Sequence, residues 1–307
     1  MKRLVSIALV LLLTGAAFTG CQKDGVYNPK NKISKVYKSV NGFKTLEEQW
    51  TWDGNILHNV AYFKDDTTMS YKWYYLYEKK QLVKVENTSN LSYIAITYSG
   101  SQYDKVEFFD KFGRKSRTFA YTYDGKKVSK IDATIYKNPQ KAMVAEDYDV
   151  LSAFIPMEIL EETDKQIAKS APLKSDEDNI INYALTYNDK GNLSEWKITN
   201  NNDIKKLQVV VYKYEAYDEN KNPFYASYPR VDDGGIGFAP PCFSKNNPTK
   251  VSCKVTINSE QSGDVVSYDY SYQYNGKKFP TQVIRKISYS LVPDTFSDTT
   301  YYEYTEK

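Results

Sequence analysis

One local pattern recurs along this chain and limits what it can fold into. At 121–131 the sequence reads Tyr-Thr-Tyr-Asp-Gly-Lys-Lys-Val-Ser-Lys-Ile. Tyr121 and Tyr123 alternate with Thr122, so both rings leave one face of an extended chain. Asp124-Gly125 then supplies the positive φ angles of a tight hairpin turn, and Val128 and Ile131 begin a return strand. The frame repeats at Trp50-Thr51-Trp52-Asp53-Gly54 and at Tyr272-Gln273-Tyr274-Asn275-Gly276. With a longer turn it recurs at Leu185 to Leu193, and looser copies start at Tyr75 and Ile96. Copies starting at 50, 75, 96 and 121 are spaced for two short strands and two turns each. The reading is an all-β, antiparallel meander of hairpins.

The first 20 residues read as a signal peptide. Lys2 and Arg3 precede an apolar run from Leu4 to Phe18 that is short for a membrane-spanning helix. Phe18-Thr19-Gly20-Cys21 has the form of a bacterial lipobox, so Cys21 is the expected lipidation site and acyl chains such as palmitate the expected anchor. Two or more acyl chains hold a protein stably on a bilayer. Residues 21–32 follow as the lipidated cysteine and a polar tether. The predicted partner is therefore a membrane, through the anchor. The predicted site is the outer membrane, at the cell surface or facing the periplasm.

Residues 33–307 read as a single β domain with two interruptions. At about 137–180 alternation weakens, and Met157 to Ala168 has helix-favouring residues with apolar spacing near 3.6, which predicts one short helix inside an insertion. At about 218–250 the chain is rich in Pro, Gly and Asn, and loops of that length in a compact domain carry function or mobility. The aromatics of this loop, Phe224, Tyr225, Tyr228 and Phe238, are the expected ligand-binding residues. Cys242 and Cys253 either close a disulfide across the end of the loop or remain buried thiols.

Chemistry is sparse. The one histidine, His58, excludes multi-histidine zinc sites and disfavours a serine triad. No nucleotide-binding or hydrolase fingerprint occurs. Asp218-Glu219-Asn220-Lys221-Asn222 has the opening spacing of a calcium loop, but Pro223 stands where that loop needs glycine. No metal or other cofactor is expected. With 41 basic and 38 acidic residues the chain offers no electrostatic footprint for nucleic acid. Two close carboxylates would suffice for a glycoside hydrolase, yet none is marked by local sequence. The outlier is tyrosine, with 29 residues against 13 Phe and 4 Trp, which suits half-buried sheet faces and wet binding surfaces alike.

The Tyr-x-Tyr-Asp frame at 121–128 and the segment 185–193 resemble the tyrosine-aspartate repeats of bacterial surface shells. The whole layout, from lipobox through tether and hairpins to the Asp218–Tyr225 loop, resembles Bacteroidetes-type lipoproteins of unknown function. That resemblance implies a porin-like but water-soluble antiparallel sheet, large and curved or forming a partly open barrel. It carries no catalytic residues to transfer. The expectation is a non-catalytic binding or interaction module, for a polysaccharide or an outer-membrane partner protein. A carboxylate-dependent glycoside hydrolase and a structural subunit of an outer-membrane complex are the alternatives.

Overall fold

The computed structural model describes residues 27–40, 42–136, 179–200, 208–227, 240–257, 260–261, 265–290 and 295–305. The predicted signal peptide, Cys21 and the Met157–Ala168 helix lie outside them. Seventeen strands are described: β1 (Ile33–Val40), β2 (Phe43–Asp53), β3 (Ile56–Phe63), β4 (Met69–Glu78), β5 (Gln81–Asn87), β6 (Tyr93–Ser99), β7 (Gln102–Phe109), β8 (Lys115–Asp124), β9 (Lys127–Ile135), β10 (Asn179–Tyr187), β11 (Leu193–Asn200), β12 (Gln208–Tyr217), β13 (Pro248–Ile257), β14 (Glu260–Gln261), β15 (Val266–Tyr274), β16 (Pro280–Tyr289) and β17 (Thr295–Tyr304).

Each strand pairs antiparallel with its neighbour in the chain, and β1 pairs with both β2 and β17. The two-residue β14 is an offshoot beside β13, so the ring is a closed barrel of sixteen strands. This corrects the expectation of a partly open barrel. The 16-to-17 and 17-to-1 pairings both run over six or more residues, which leaves no unpaired edge at the ends of the meander. Among the described residues there is no α-helix; the one helical element is a 3-10 turn at Pro240–Phe243.

The tight hairpins form as their turn residues require. Gly54 and Gly125 sit at φ +54° and +60°, the left-handed region that the Asp-Gly turns need. At one end of the barrel, here called the rim, each of these hairpins slips its register by one residue beside the turn. Such a bulge leaves ladder groups without a strand partner. The aromatic that precedes the turn of a neighbouring hairpin fills the gap. Tyr77 donates its hydroxyl to the Leu57 carbonyl at 2.9 Å, Tyr98 to Leu82 at 2.8 Å and Tyr187 to Val128 at 2.9 Å. Tyr217 reaches Leu193 at 2.7 Å, Tyr272 reaches Pro248 at 2.6 Å and Tyr304 reaches Pro280 at 2.7 Å. The Trp52 indole donates to Ile33 at 2.7 Å. The recurring aromatic before the turn is thus a girdle that ties hairpin to hairpin. Tyr98→Phe is expected to cost about 1 kcal/mol, because it removes one hydrogen bond and leaves the Leu82 carbonyl short of a donor. Urea unfolding of the variant measures it.

Alternation sorts the two faces of the barrel. The inner rows form one contiguous core that includes Val60, Leu82, Val106, Ile131, Tyr183, Trp196, Cys253 and Val266. Tyr183 and Ile131 have no exposed surface. The outer rows are mostly polar, as at Gln49 and Thr51 on β2, Lys197 and Thr199 on β11, Ser252 and Lys254 on β13, and Ser267, Asp269, Ser271 and Gln273 on β15, with Leu76, Ile180, Val209, Val211 and Ile284 interspersed among them. A lipid-facing band would be apolar there, and each Lys near a bilayer midplane would cost roughly 2–4 kcal/mol.

Candidate functional site

The loop between β12 and β13 was the sequence's first candidate. Its described parts, Asp218–Ser227 and Pro240–Asn247, fold back on the rim and into the mouth of the barrel. Short polar side chains pin them there because loop backbone groups without a strand ladder need other partners. Asn192, fully buried, accepts from the amides of Lys245 (2.9 Å) and Asn246 (3.0 Å) and donates to Asn246 Oδ1 (3.0 Å). Asn222 donates to the Ser244 carbonyl at 2.8 Å. The Ser244 hydroxyl accepts the Leu193 amide at 3.1 Å and meets the Tyr217 hydroxyl at 3.0 Å. Asp218 accepts from the Asn247 amide at 3.1 Å and from the Tyr274 hydroxyl. The residues that suggested a calcium loop are therefore spent on the plug. No group of three His, Cys, Asp or Glu side chains among the described residues is placed to hold a metal ion.

The predicted binding aromatics separate. Phe224 points inward and packs against Trp50 (6.4 Å between ring centroids) and Tyr302 (5.7 Å), so it anchors the plug. Tyr225 is 40% exposed and is the loop aromatic that the structure offers to solvent. Tyr228 and Phe238 lie outside the described residues. The strand β13 takes up the chain again at Pro248.

The disulfide alternative is corrected: Cys242 and Cys253 are both free and buried. They lie at different places in the core. Cys253 faces Tyr212 and Val266 across the mid-barrel ladder, whereas Cys242 sits in the 3-10 turn of the plug, within electrostatic reach of Tyr121 and Tyr187. Burial pushes both thiols up, Cys253 to about 12, so neither is a nucleophile at neutral pH.

Among the described residues, the carboxylates of Glu48 and Asp298 face the interior. Glu48 is buried on β2 and accepts the Trp50 indole N–H at 2.7 Å. Asp298 on β17 is paired with Arg285 on β16, whose Nε lies 3.1 Å from Oδ2. Burial opposes the Arg285 charge, but bonding to Asp298 outweighs it and the guanidinium pKa is raised. Beside this pair burial pushes the Tyr270 hydroxyl up to about 12, with Arg285 pulling the other way. Both acids already hold a donor, an arrangement suited to fixing the wall rather than to cycling a proton. His58, on the outer wall, meets Tyr74 edge-on at 5.5 Å and is exposed, an ordinary strand residue.

Sequence reasoning missed Asn192, which organises the plug from outside it, and the ion pair across β16 and β17. The Asn188–Asn192 turn offered a weak signal for the first. Nothing local marked the second, because its partners are thirteen residues apart on neighbouring strands.

No family model matches the chain, and no curated protein matches it. Solved structures do. A porin-like protein from Bacteroides vulgatus ATCC 8482 aligns over 91% of this chain and 100% of its own, with a TM-score of 0.53 and 10% identity. A porin-like protein from Bacteroides uniformis ATCC 8492 aligns over 92% of this chain and 100% of its own, with a TM-score of 0.52 and 9% identity. At such identities the likeness is one of fold: this chain is an all-β, antiparallel barrel similar to those porin-like proteins.

Proposed function

We propose that this protein is a lipid-anchored barrel of the bacterial cell envelope that faces water on its outer wall and serves as a non-catalytic binding or interaction module. The observation that carries the reading is the inversion of the two faces. Charged and hydroxyl side chains line the outside at mid-strand, and packed aromatics and aliphatics fill the inside. A porin that conducts across a membrane has the reverse arrangement. The plug that occupies the rim also argues against a conduit.

Cys21, acylated at the lipobox, is the proposed anchor in the outer membrane, at the cell surface or facing the periplasm. Tyr27 supports an orientation. Its hydroxyl donates to the Pro223 carbonyl at 2.5 Å and its ring packs 5.8 Å from Trp52, which ties the start of the domain to the plugged rim. Six residues span at most about 20 Å. Lipid on Cys21 would therefore hold the rim near the bilayer and leave the walls and the far end open to a glycan or an outer-membrane partner. The far-end turns carry Phe43 (78% exposed), Leu91 (68%) and Phe112 (68%), which favours a protein partner there as a second reading.

A thermal-shift screen of the Cys21→Ser chain against oligosaccharides and envelope peptides tests the binding role. A ligand at a hundred times its dissociation constant adds about 2.7 kcal/mol and raises the midpoint visibly. A reproducible rise with one class supports the module. No rise with any ligand, together with no outer-membrane protein retained by the immobilised chain, contradicts it.

A further inference from the structure

One apolar side chain of the outer wall lies in a groove. The register of β1 against β2 shifts between Val36 and Tyr37, so Val36 pairs with Glu48 but Tyr37 pairs with Leu46. The bulge turns Leu46 to the outside, onto the face that Tyr37 shares with Tyr301 of β17. Yet Leu46 is only 9% exposed. The β3–β4 loop folds over its backbone, and Asp66 Oδ1 accepts the Leu46 amide at 2.6 Å. The result is a groove of about 370 Å³ with Leu46 as its apolar floor and Lys35, Tyr37, Lys44 and Asp66 as its walls. Bulges in barrels often re-aim side chains at binding places.

The charge of this groove is unbalanced. Lys44 holds its ammonium 4.1 Å from the centre of the Tyr37 ring and 4.8 Å from that of Tyr301. The rings fix the cation without neutralising it. Several other wall lysines sit beside acids, as Lys84 does with Glu86, Lys130 with Asp132 and Lys250 with Glu215. The groove's own acid, Asp66, accepts the Leu46 amide and keeps its charge, so Lys35 and Lys44 against Asp66 leave one positive charge in excess. Two cations against one acid, the Tyr37 ring and a small apolar floor match a pyranose ring that bears a carboxylate, with Asp66 left as an acceptor for a sugar hydroxyl. Its faces are apolar enough to lie on Leu46 and Tyr37, and its acid meets Lys44 and Lys35.

We infer that the outer-wall groove between β1, β2 and the β3–β4 loop is a binding site for an acidic sugar unit, a uronate, of a polysaccharide. The inference rests on the binding-module reading and names its ligand class. The test is calorimetric titration of the purified Cys21→Ser chain with tetragalacturonate and with the neutral galactose tetramer. Lys44→Gln, Lys35→Gln and Tyr37→Ala are the groove variants, and Lys197→Gln on the remote wall is the control. The acidic tetramer is expected to bind at least tenfold more tightly than the neutral one. Lys44→Gln and Tyr37→Ala should each weaken it tenfold or more, with Lys197→Gln unchanged. Lys44 and Lys35 are surface groups, so unaltered melting of their variants confirms that folding is not the cause. Equal affinity for both tetramers, no affinity for either, or full affinity in Lys44→Gln and Lys35→Gln overturns the site. If tetragalacturonate binds and the groove variants bind it equally, the groove is wrong while the module reading survives. If no ligand of the wider screen or outer-membrane protein is bound, the module reading itself falls.

Discussion

Raising the pH above 10 is expected to unfold this protein cooperatively. Burial pushes the hydroxyls of Tyr183, Tyr212 and Tyr268 well above the ordinary tyrosine value, and each of these residues is under a tenth exposed. Their folded pKa values are raised, so the native state keeps protons that the unfolded chain releases. The stability they contribute is complete below about pH 10, where unfolded tyrosine titrates, and is lost as pH climbs from there toward the folded values. Each such group removes about 1.4 kcal/mol per pH unit, so these three remove about 4 kcal/mol per unit. A domain stable by about 5–15 kcal/mol exhausts that margin within a few units. Absorbance at 295 nm and far-UV circular dichroism should change together in one transition. Tyrosines that titrate smoothly near pH 10 with the sheet signal intact would contradict the packed aromatic interior.

The second large effect is at Asn192. Its carboxamide takes the amides of Lys245 and Asn246 and gives one hydrogen bond back to Asn246. Asn192→Ala leaves two loop amides without an acceptor in a buried setting and is expected to cost roughly 3–5 kcal/mol. Because the lost partners belong to the plug, protease cleavage in the loop at 218–247 should rise by far more than cleavage in the barrel hairpins. A variant that loses under 1 kcal/mol and resists cleavage like the parent would show that the plug is held by Phe224 packing instead.

The barrel's local grammar was legible because each hairpin carries its own signal. Asp53-Gly54 and Asp124-Gly125 announce turns, and Tyr121-Thr122-Tyr123 announces a two-faced strand. What the Tyr-x-Tyr pairs do was not legible, since each hydroxyl bonds a carbonyl on another hairpin, as Tyr187 does across 59 residues to Val128. Closure was hidden for the same reason: it depends on β1 meeting β17, and alternation inside a strand says nothing of its neighbours. At the candidate site, composition pointed to the 218–250 loop but could not separate the inward Phe224 from the exposed Tyr225. The outer-wall groove left no mark at all, because it exists through a one-residue register shift that moves Leu46 from one face to the other.

The central claim is that the outer wall meets water. Sedimentation velocity of the Cys21→Ser chain, purified without detergent, tests it most directly. The account predicts a folded, monodisperse species in plain buffer whose melting midpoint is unchanged by adding detergent micelles or liposomes. A chain that precipitates without detergent, and regains its sheet signal only when inserted into liposomes, would mean that the polar outer rows do not face solvent and that the barrel spans the membrane.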